Sequence, residues 1–343
     1  MAHGRDDGST PDVEPLRWGV LGVADIAVHK VIPAMQATPL CPVVAIASRS
    51  AGKAADAARR LGIADAHGSY ESLLASDAVD AVYIPLPNHL HHEWTLAAAD
   101  AGKHVLCEKP LALTSADARR MIEHCERSGV ALMEAFMYRL HPLWTTLRSL
   151  VTAGRIGEPR AIQTVFSYYN DDPDDIRNQR EAGGGALYDI GCYAINLARM
   201  IFGSEPATVQ ASVRTDERFG TDAMTSAVLD FGGRHATFVC STQLEPAQRV
   251  EVLGTDGRIV VDIPFNIPPD RPTRLQCVAG GSPPVDPHVE LVELAPTDPY
   301  AAQAIAFTEA VRRNRPMPVS PRDAIGNLEV IESILSGAVA GAA

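Results

Sequence analysis

Short apolar runs alternate with longer alanine-rich stretches between residues 16 and 135. This alternation is typical of strands joined by crossover helices in a parallel sheet. Strands are predicted at 17–21, 43–47, 81–85, 104–107 and 131–134. Helices are predicted at 53–61, 91–101 and 115–128, and each is followed by a glycine that suits a C-terminal stop: Gly62, Gly102 and Gly129. The first part of the chain is therefore expected to form a doubly wound α/β domain.

After Pro142 the pattern changes to one helix and then a series of β-like runs. Turn signals such as Gly232-Gly233 and Asp256-Gly257 separate the runs and favour antiparallel pairing. The runs predicted as strands are 161–169, 207–214, 223–231, 235–243 and 248–254, and helices are predicted at 300–313 and 323–335.

The length of 343 residues predicts two domains, because one hydrophobic core rarely supports so long a chain. We assign residues 1–14 to a disordered tail and 15–138 to a Rossmann domain with a parallel sheet. Residues 139–343 are expected to form a substrate-binding and oligomerisation α/β domain with a large open, mostly antiparallel sheet.

The composition excludes several classes of protein. Hydrophobic residues make up 46% and charged residues 21%, as in ordinary globular proteins, and no apolar run could span a bilayer. The net charge of -12, without a long basic run, argues against nucleic-acid binding. The six cysteines are far apart and form no CxxC pair, which predicts neither disulfides nor a zinc site. Without a signal-peptide pattern, a cytoplasmic location is expected.

A turn rich in small residues follows the first predicted strand and opens a helix. Its sequence is Gly19-Val-Leu-Gly22-Val-Ala24-Asp25-Ile26-Ala27. Small residues there let a pyrophosphate approach backbone N–H groups at a helix N-terminus. Ala24 stands where a glycine is usual, so the motif alone is equally compatible with an ordinary strand-to-helix turn. Its position in a βαβ pattern favours a dinucleotide.

Ser48, Arg49 and Lys53 follow the second predicted strand, where an NAD-preferring domain usually has an acidic residue. A hydroxyl and two cations suit the 2′-phosphate of NADP. We therefore expect NADP as the cofactor, with NAD as an alternative; the competing interpretation of these residues is a solvated helix start.

Glu108, Lys109 and Pro110 end a predicted buried strand, at the edge where parallel sheets bind ligands. With this motif, the chain resembles the glucose-fructose oxidoreductase, inositol dehydrogenase and MocA family over nearly its whole length. The resemblance also rests on 20–27, Ser48-Arg49, Pro85-Leu-Pro-Asn88-His89 and the stretch 183–193, Gly-Gly-Gly-Ala-Leu-Tyr-Asp-Ile-Gly-Cys-Tyr.

The resemblance implies a role for each matching residue. Lys109 would contact the substrate and the nicotinamide region, and the Lys109-Pro110 bond would be cis. Lys53 and Tyr70 would lie at the adenosine phosphate, although a buried core tyrosine is equally plausible for Tyr70. The residues expected at the cofactor near its reacting ring, or elsewhere along its cleft, are Leu86, Pro87, Asn88, His91 and Glu108.

Tyr193 occupies a position that is histidine in many family members. Tyrosine there resembles xylose dehydrogenases, dihydrodiol dehydrogenases and nucleotide-sugar 3-ketoreductases. We expect Tyr193 to be the general base, with Lys109 lowering its pKa, because an ordinary phenol is a poor base at neutral pH. Asp189, four residues earlier, would lie on the same side and orient the substrate or Lys109. Its alternative role is structural capping.

Three further polar residues are candidates for substrate binding: Arg139, Asn170 and Arg177. The two arginines could bind sugar hydroxyls or a nucleotide phosphate, or lie on the surface. His89, His91 and His92 lack a matching carboxylate or thiolate set, so no metal is expected.

The sequence thus predicts an NADP-dependent oxidoreductase that oxidises an aldose, xylose or glucose, at C1. The alternatives are a nucleotide-sugar 3-ketoreductase, a trans-dihydrodiol dehydrogenase and a non-catalytic dinucleotide sensor, but a sensor needs neither Lys109 nor Tyr193. A homodimer or homotetramer is expected through the second domain's sheet.

Overall fold

The computed structural model describes residues 13–337 except 282, 284 and 286, so the predicted tail lies almost wholly outside the described residues. The first sheet has six parallel strands: β1 (Trp18–Leu21), β2 (Val43–Ala47), β3 (Asp65–His67), β4 (Ala81–Ile84), β5 (His104–Cys107) and β6 (Leu132–Glu134). Their order is β3-β2-β1-β4-β5-β6. Strands β1 to β3 extend to one side of the sheet, and β4 to β6 extend to the other. This change in strand order leaves a crevice at the carboxyl ends of β1 and β4.

Five helices flank this sheet: α1 (Ile32–Gln36, continuing a π turn over Ala27–Val31), α2 (Ala51–Leu61), α3 (Tyr70–Leu74), α4 (His91–Asp100) and α5 (Ser115–Ser128). The Ser50 side chain caps α2 by accepting from the backbone N–H of Lys53, and Thr114 caps α5 in the same way from Asp117. Gly62 and Gly129 end these helices in the left-handed conformation, as predicted. β3 was not predicted because two of its three residues are exposed and form no apolar run.

The second sheet has eight strands: β7 (Pro159–Tyr169), β8 (Thr208–Thr215), β9 (Asp222–Asp230), β10 (His235–Ser241), β11 (Gln243–Gly254), β12 (Gly257–Val261), β13 (Thr273–Ala279) and β14 (Val289–Leu294). Their order is β14-β13-β12-β11-β7-β10-β9-β8. Among the described strands of this second sheet, only β7 and β10 pair in parallel. The predicted fold class is therefore confirmed, although β12 to β14 were not predicted.

Four helices complete the described chain: α6 (Pro142–Thr152), α7 (Cys192–Phe202, continuing a π turn over Leu187–Gly191), α8 (Pro299–Arg312) and α9 (Asp323–Leu335). Buried side chains of α7 pack under β7 and against α9. The opposite sheet face leaves Val165 and Val228 more than a third exposed. No helix in the described part of the chain is both long and apolar enough to cross a membrane.

α8 packs on the first sheet although it follows the second in sequence. The ring of Phe307 lies 5.1 Å from that of Trp18 on β1. Arg312 pairs with Asp80 at 2.7 Å, just before β4. The chain thus returns to the first domain, and residues assigned to the second domain complete the core of the first.

Candidate active site

A cleft of about 400 Å³ opens at the carboxyl ends of β1 and β4. On one side it is lined by Ala24, Asp25 and Ile26, from the turn after β1. On the other side lie the loop after β4 and the motif after β5: Pro85, Leu86, Pro87, Asn88, Glu108 and Lys109. This is the crevice in which doubly wound sheets bind dinucleotides.

The backbone at Gly22 fits close approach of a ligand. Its φ of +126° is in the region that side chains rarely adopt, and an added Cβ would meet Leu86 Cδ2 at 3.0 Å. A larger residue would therefore strain the turn and intrude between β1 and the Leu86 loop. The sequence predicts a pyrophosphate site at this turn and the helix start that follows it, and the observed backbone is compatible with that prediction.

His91 joins two loops of the cleft rather than facing into it. It is fully buried, and its ring nitrogens lie 2.7 Å from the carbonyl oxygen of Leu86 and 2.8 Å from that of Pro110. Burial lowers the pKa of His91 to about 4, so the neutral ring donates to one of the two carbonyls. The structure therefore does not place His91 against a cofactor, contrary to expectation, because its position within α4 points it beneath the loops.

A glycine-rich segment of the second domain also lines the cleft. Asn88 donates to the carbonyl oxygen of Gly183 at 2.9 Å. A Cβ on Gly183 would lie 2.2 Å from Leu113, and one on Gly185 would lie 2.0 Å from the carboxylate of Asp222. Gly183 thus allows the segment before α7 to pack against the first domain, and Gly185 allows it to pack against β9.

Ser48, Arg49 and Lys53 lie around the end of β2 and the start of α2, with Arg49 and Lys53 exposed. Tyr70 is buried, and its ring packs edge-on against Trp94 at 4.7 Å. Burial raises the pKa of Tyr70, and the neighbouring guanidinium of Arg49 partly opposes that rise. Tyr70 thus lies in the core, as in the alternative left open for it, with Arg49 as a neighbour.

Hydrogen bonds to the Glu108 carboxylate hold the motif after β5 in place. The Tyr83 hydroxyl donates to Glu108 at 2.7 Å, and the backbone N–H of Lys109 also donates to that carboxylate. The Lys109-Pro110 bond is cis, as predicted. Glu108 thereby holds the segment from which the Lys109 side chain projects.

The ammonium group of Lys109 meets the π turn before α7. Its Nζ lies 3.0 Å from Asp189 Oδ1 and 2.5 Å from the Asp189 carbonyl oxygen. Tyr168 donates to Asp189 Oδ2 at 2.5 Å, and Arg177 Nε lies 3.3 Å from the same oxygen. One partly buried carboxylate therefore contacts two cations and a phenol.

The charges in this cluster stabilise one another. Burial would raise the pKa of Asp189, but Lys109 and Arg177 hold it at about 2. Burial would lower the pKa of Lys109, but Asp189 reverses the effect and the pKa is raised. At neutral pH Lys109 is therefore an ammonium and a hydrogen-bond donor, not a base.

Tyr193, on the first turn of α7, lines a second cavity together with Asp189 and Lys109. The Lys109 Nζ is 5.3 Å from the centre of the Tyr193 ring, and the hydroxyl lies 3.7 Å from Met137 Sδ. Burial raises the pKa of Tyr193 well above its usual value. The expectation that Lys109 lowers this pKa is wrong here, because the ammonium faces the ring and is paired with Asp189.

This second cavity, the substrate cavity, has a volume of about 850 Å³. It shares Ile26, Lys109, Asp175, Arg177 and Asp189 with the cleft at the ends of β1 and β4, which we call the cofactor cleft, so the two cavities meet at these residues. The remaining lining is mostly aromatic or polar: Met137, Phe166, Ser167, Tyr168, Tyr169, Asn170, Asp172, Ile190, Tyr193, Pro246, Ala247, Gln248, Asp262, Ile263, Asn266 and Tyr300.

The three other substrate-site candidates have different positions. Arg177 lines both cavities, and Asn170 lines the substrate cavity, where its amide also donates to Asp175 at 2.9 Å. Arg139 lines neither cavity and pairs with Asp323 at 2.5 Å. The structure thus does not place Arg139 at the substrate, because its short helical segment directs it towards α9.

Sequence reasoning did not identify Tyr168 or Tyr300. Tyr168 belongs to a run that alternates like any strand, and only the packing of β7 against the π turn brings its hydroxyl to Asp189. No cluster of potential metal ligands occurs among the described residues.

Comparison with known proteins agrees with this architecture. Residues 16–136 match the model of an oxidoreductase family with an NAD-binding Rossmann fold, and residues 144–260 match the GFO/IDH/MocA C-terminal domain. The chain belongs to the GFO/IDH/MocA oxidoreductase family. Its members include an uncharacterised oxidoreductase of Rhizobium meliloti, 46% identical to this oxidoreductase over 95% of this chain and 98% of that protein.

Two further relatives carry named activities. An NADP-dependent D-xylose 1-dehydrogenase of Haloferax volcanii is 39% identical, over 96% of this oxidoreductase and 99% of the relative. The crystal structure of a 3-ketoreductase from Actinomadura kijaniata with NADP and TDP-benzene is 33% identical, with a TM-score of 0.87. That match covers 94% of this chain and 98% of the ketoreductase. The family shows that this chain is an oxidoreductase that uses a nicotinamide dinucleotide.

Proposed function

We propose that this enzyme is an NADP-dependent aldose 1-dehydrogenase whose substrate is an uncharged sugar, with xylose and glucose as the leading candidates. The supporting observation is the junction of the two cavities, where an ammonium held by a buried carboxylate lies beside Tyr193. A donor and a phenol at that point can bind and deprotonate one carbinol.

The cofactor is assigned to the cleft at β1 and β4. The turn 22–26 would hold the pyrophosphate, and Ser48, Arg49 and Lys53 would bind the 2′-phosphate. Leu86, Pro87 and Asn88 would border the reacting end, because they line the cleft together with Lys109. When bound, the nicotinamide accepts or supplies the hydride.

The chain's own residues would handle the proton and the substrate oxygen. Lys109 donates a hydrogen bond to that oxygen, and Asp189 holds Lys109 in place. Tyr193 exchanges the proton with the same oxygen, as a neutral acid in the reducing direction and as a phenolate in the oxidising direction. Because burial raises the pKa of Tyr193, oxidation should accelerate as pH rises.

The charge of the substrate cavity favours a neutral sugar over a nucleotide sugar. Among the described lining residues the only cations are Lys109 and Arg177, and both are paired with Asp189. Four lining residues are acidic: Asp172, Asp175, Asp189 and Asp262. A diphosphate would meet repulsion there instead of a free cation. The polar lining also favours a polyhydroxylated sugar over an aryl dihydrodiol.

The second candidate is a nucleotide-sugar 3-ketoreductase. Variants of the Actinomadura kijaniata ketoreductase have been solved with one tyrosine or one lysine replaced. In that chain the two residues are separated by the same number of positions as Lys109 and Tyr193 here. This match supports the same proton-transferring pair in both enzymes. It does not distinguish their substrates, which depend on the lining of the substrate cavity.

A screen for NADPH formation or consumption separates the candidates. Purified enzyme is tested with aldoses and trans-dihydrodiols plus NADP or NAD, and with a dTDP-linked ketosugar plus NADPH. Oxidation of aldoses to lactones supports the proposal. Turnover of only the nucleotide sugar, or only the dihydrodiol, would replace it with the corresponding alternative.

We also propose that the enzyme is a homodimer or homotetramer that covers the sheet face bearing Val165 and Val228. Light scattering should give a mass of at least two chains, and Val228→Glu should lower it. A wild-type mass of one chain at all concentrations would contradict the proposal.

A further inference from the structure

The substrate cavity has a buried inner end and an exposed outer end. At the inner end, Met137 and Tyr193 are almost fully buried. At the outer end, Tyr169 is 63% exposed and Ile263 is 46% exposed. The volume of about 850 Å³ is near the upper limit for pockets that hold drug-sized ligands, so one monosaccharide does not fill it.

Four outer lining residues form what we call the outer subsite: Tyr169, Gln248, Ile263 and Asn266. The oxygen of the Gln248 side chain accepts from the backbone N–H groups of Phe265 and Asn266, which fixes its orientation. Within the described part of the chain, the Gln248 amide nitrogen and the Asn266 side chain form no hydrogen bond. Their amide groups therefore remain available to a ligand.

This combination of surfaces matches the chemistry of a sugar ring. The C–H face of a pyranose packs on an aromatic or aliphatic surface, as Tyr169 and Ile263 provide. Its hydroxyls both donate and accept hydrogen bonds, as carboxamides do. An exposed apolar patch bordered by polar groups is typical of a ligand-binding groove.

The electrostatics of the outer subsite exclude a phosphorylated occupant. Its four residues carry no cation, and the neighbouring Asp262 already accepts from Arg249 at 2.9 Å and from Gln276 at 2.7 Å. A phosphate there would find no cation to offset the loss of its hydration. An uncharged glycosyl group meets no such cost.

We propose that the outer subsite binds a second sugar unit, so that the preferred substrate is a reducing disaccharide or longer oligosaccharide joined through O4 of the oxidised sugar. This inference rests on the proposed aldose 1-dehydrogenase activity. In a pyranose, C1 and C4 lie on opposite sides of the ring. With C1 at Lys109 and Tyr193, a substituent on O4 points away from the reacting carbon and towards the cavity mouth.

The test compares each monosaccharide with its 1,4-linked disaccharide: glucose with cellobiose and maltose, and xylose with xylobiose. We expect at least one disaccharide to have a kcat/KM about tenfold above its monosaccharide. Tyr169→Ala should lower this ratio to near one, whereas Tyr169→Phe keeps the ring and should preserve it. A wild-type ratio of one or below for every pair, or a ratio insensitive to Tyr169→Ala, would overturn the inference.

Calorimetric titration of the NADPH-saturated enzyme separates this inference from the proposed function. If no sugar is oxidised, the aldose dehydrogenase proposal fails, and binding alone decides the outer subsite. Disaccharide binding that is tighter than monosaccharide binding and weakened by Tyr169→Ala would support it. Equal binding of the two, or no binding of either, would refute it.

Discussion

The cofactor cleft and the substrate cavity meet at Lys109 but are built differently. The cleft is lined largely by turns at the ends of neighbouring parallel strands, so backbone geometry and small residues such as Gly22 and Ala24 shape it. The substrate cavity is lined by side chains from β7, α7, β11 and the segment after β12. Dinucleotide recognition can therefore be contained in short local motifs, whereas the proposed substrate site combines residues that are distant in sequence.

The largest expected effect belongs to the substrate cavity. Tyr193→Phe should lower kcat about a thousandfold, because it removes the proton-exchanging hydroxyl. The ring contacts with Phe136 and Phe265, both at 5.1 Å, should persist. Steady-state kinetics would measure the loss, and fluorescence titration should give an unchanged NADPH affinity. In the wild type, oxidation should speed up with pH.

Tyr188→Phe is a matched control, since the Tyr188 hydroxyl donates to the carbonyl of Leu113 outside the substrate cavity. It should keep most of the activity. Near-complete turnover in Tyr193→Phe across the pH range would instead make Tyr193 a packing residue.

A second substitution acts at the junction of the two cavities. Lys109→Met should lower kcat/KM about 100- to 1,000-fold, because it removes a preorganised donor to the substrate oxygen. Combined with Tyr193→Phe, the loss should be smaller than the product of the single losses if the two residues act as one unit. Lys30→Met, at an exposed lysine, is the control. Strictly multiplicative losses would separate the two roles.

The cofactor cleft should respond in affinity rather than in chemistry. Arg49→Ala should weaken NADP binding about 10- to 100-fold, as expected for loss of charge-assisted bonds to a phosphate. NAD, which lacks that phosphate, should bind almost as before. Titration of both cofactors measures the difference, with Arg60→Ala, at an exposed arginine of α2, as control. Equal losses would show that Arg49 does not contact the 2′-phosphate.

The smallest effect on catalysis is expected at Glu134, whose Oε1 accepts from the Leu111 backbone N–H at 2.8 Å. Burial raises the pKa of Glu134 from an ordinary value of 4.5 to about 8. A group whose pKa is higher in the folded than in the unfolded state adds to the free energy of unfolding. This contribution is complete below the unfolded-state pKa and is lost as pH rises through the folded-state pKa.

Glu134→Gln keeps the acceptor but cannot ionise. The Tm of the wild type minus that of the variant should therefore fall by several degrees between about pH 5 and pH 9. Thermal unfolding of both proteins across that range measures the trend. A pH-independent difference would mean that Glu134 is ionised at neutral pH.

The sequence predicted the cofactor cleft better than the substrate cavity. The turn around Gly22 and the motif at Lys109 were predicted because strand-to-helix turns and parallel-strand ends carry local signals. The role of Arg139 was not predicted, because the sequence around an arginine does not show whether its side chain faces a cavity or pairs with Asp323. Tyr168 was missed because its function depends on how β7 packs against the turn before α7. The altered pKa of Tyr193 depends on burial, which spacing alone does not give.

The return of α8 to the first sheet has a consequence for how the protein is made. Trp18 and Cys41 belong to early segments, yet their partners Phe307 and Thr308 leave the ribosome only after both sheets have been synthesised. Nascent domains generally fold in order from the N-terminus. The first domain therefore keeps an apolar surface uncovered until α8 has been synthesised. Ribosome-bound chains that stop before α8 should for this reason bind chaperones more than longer chains do.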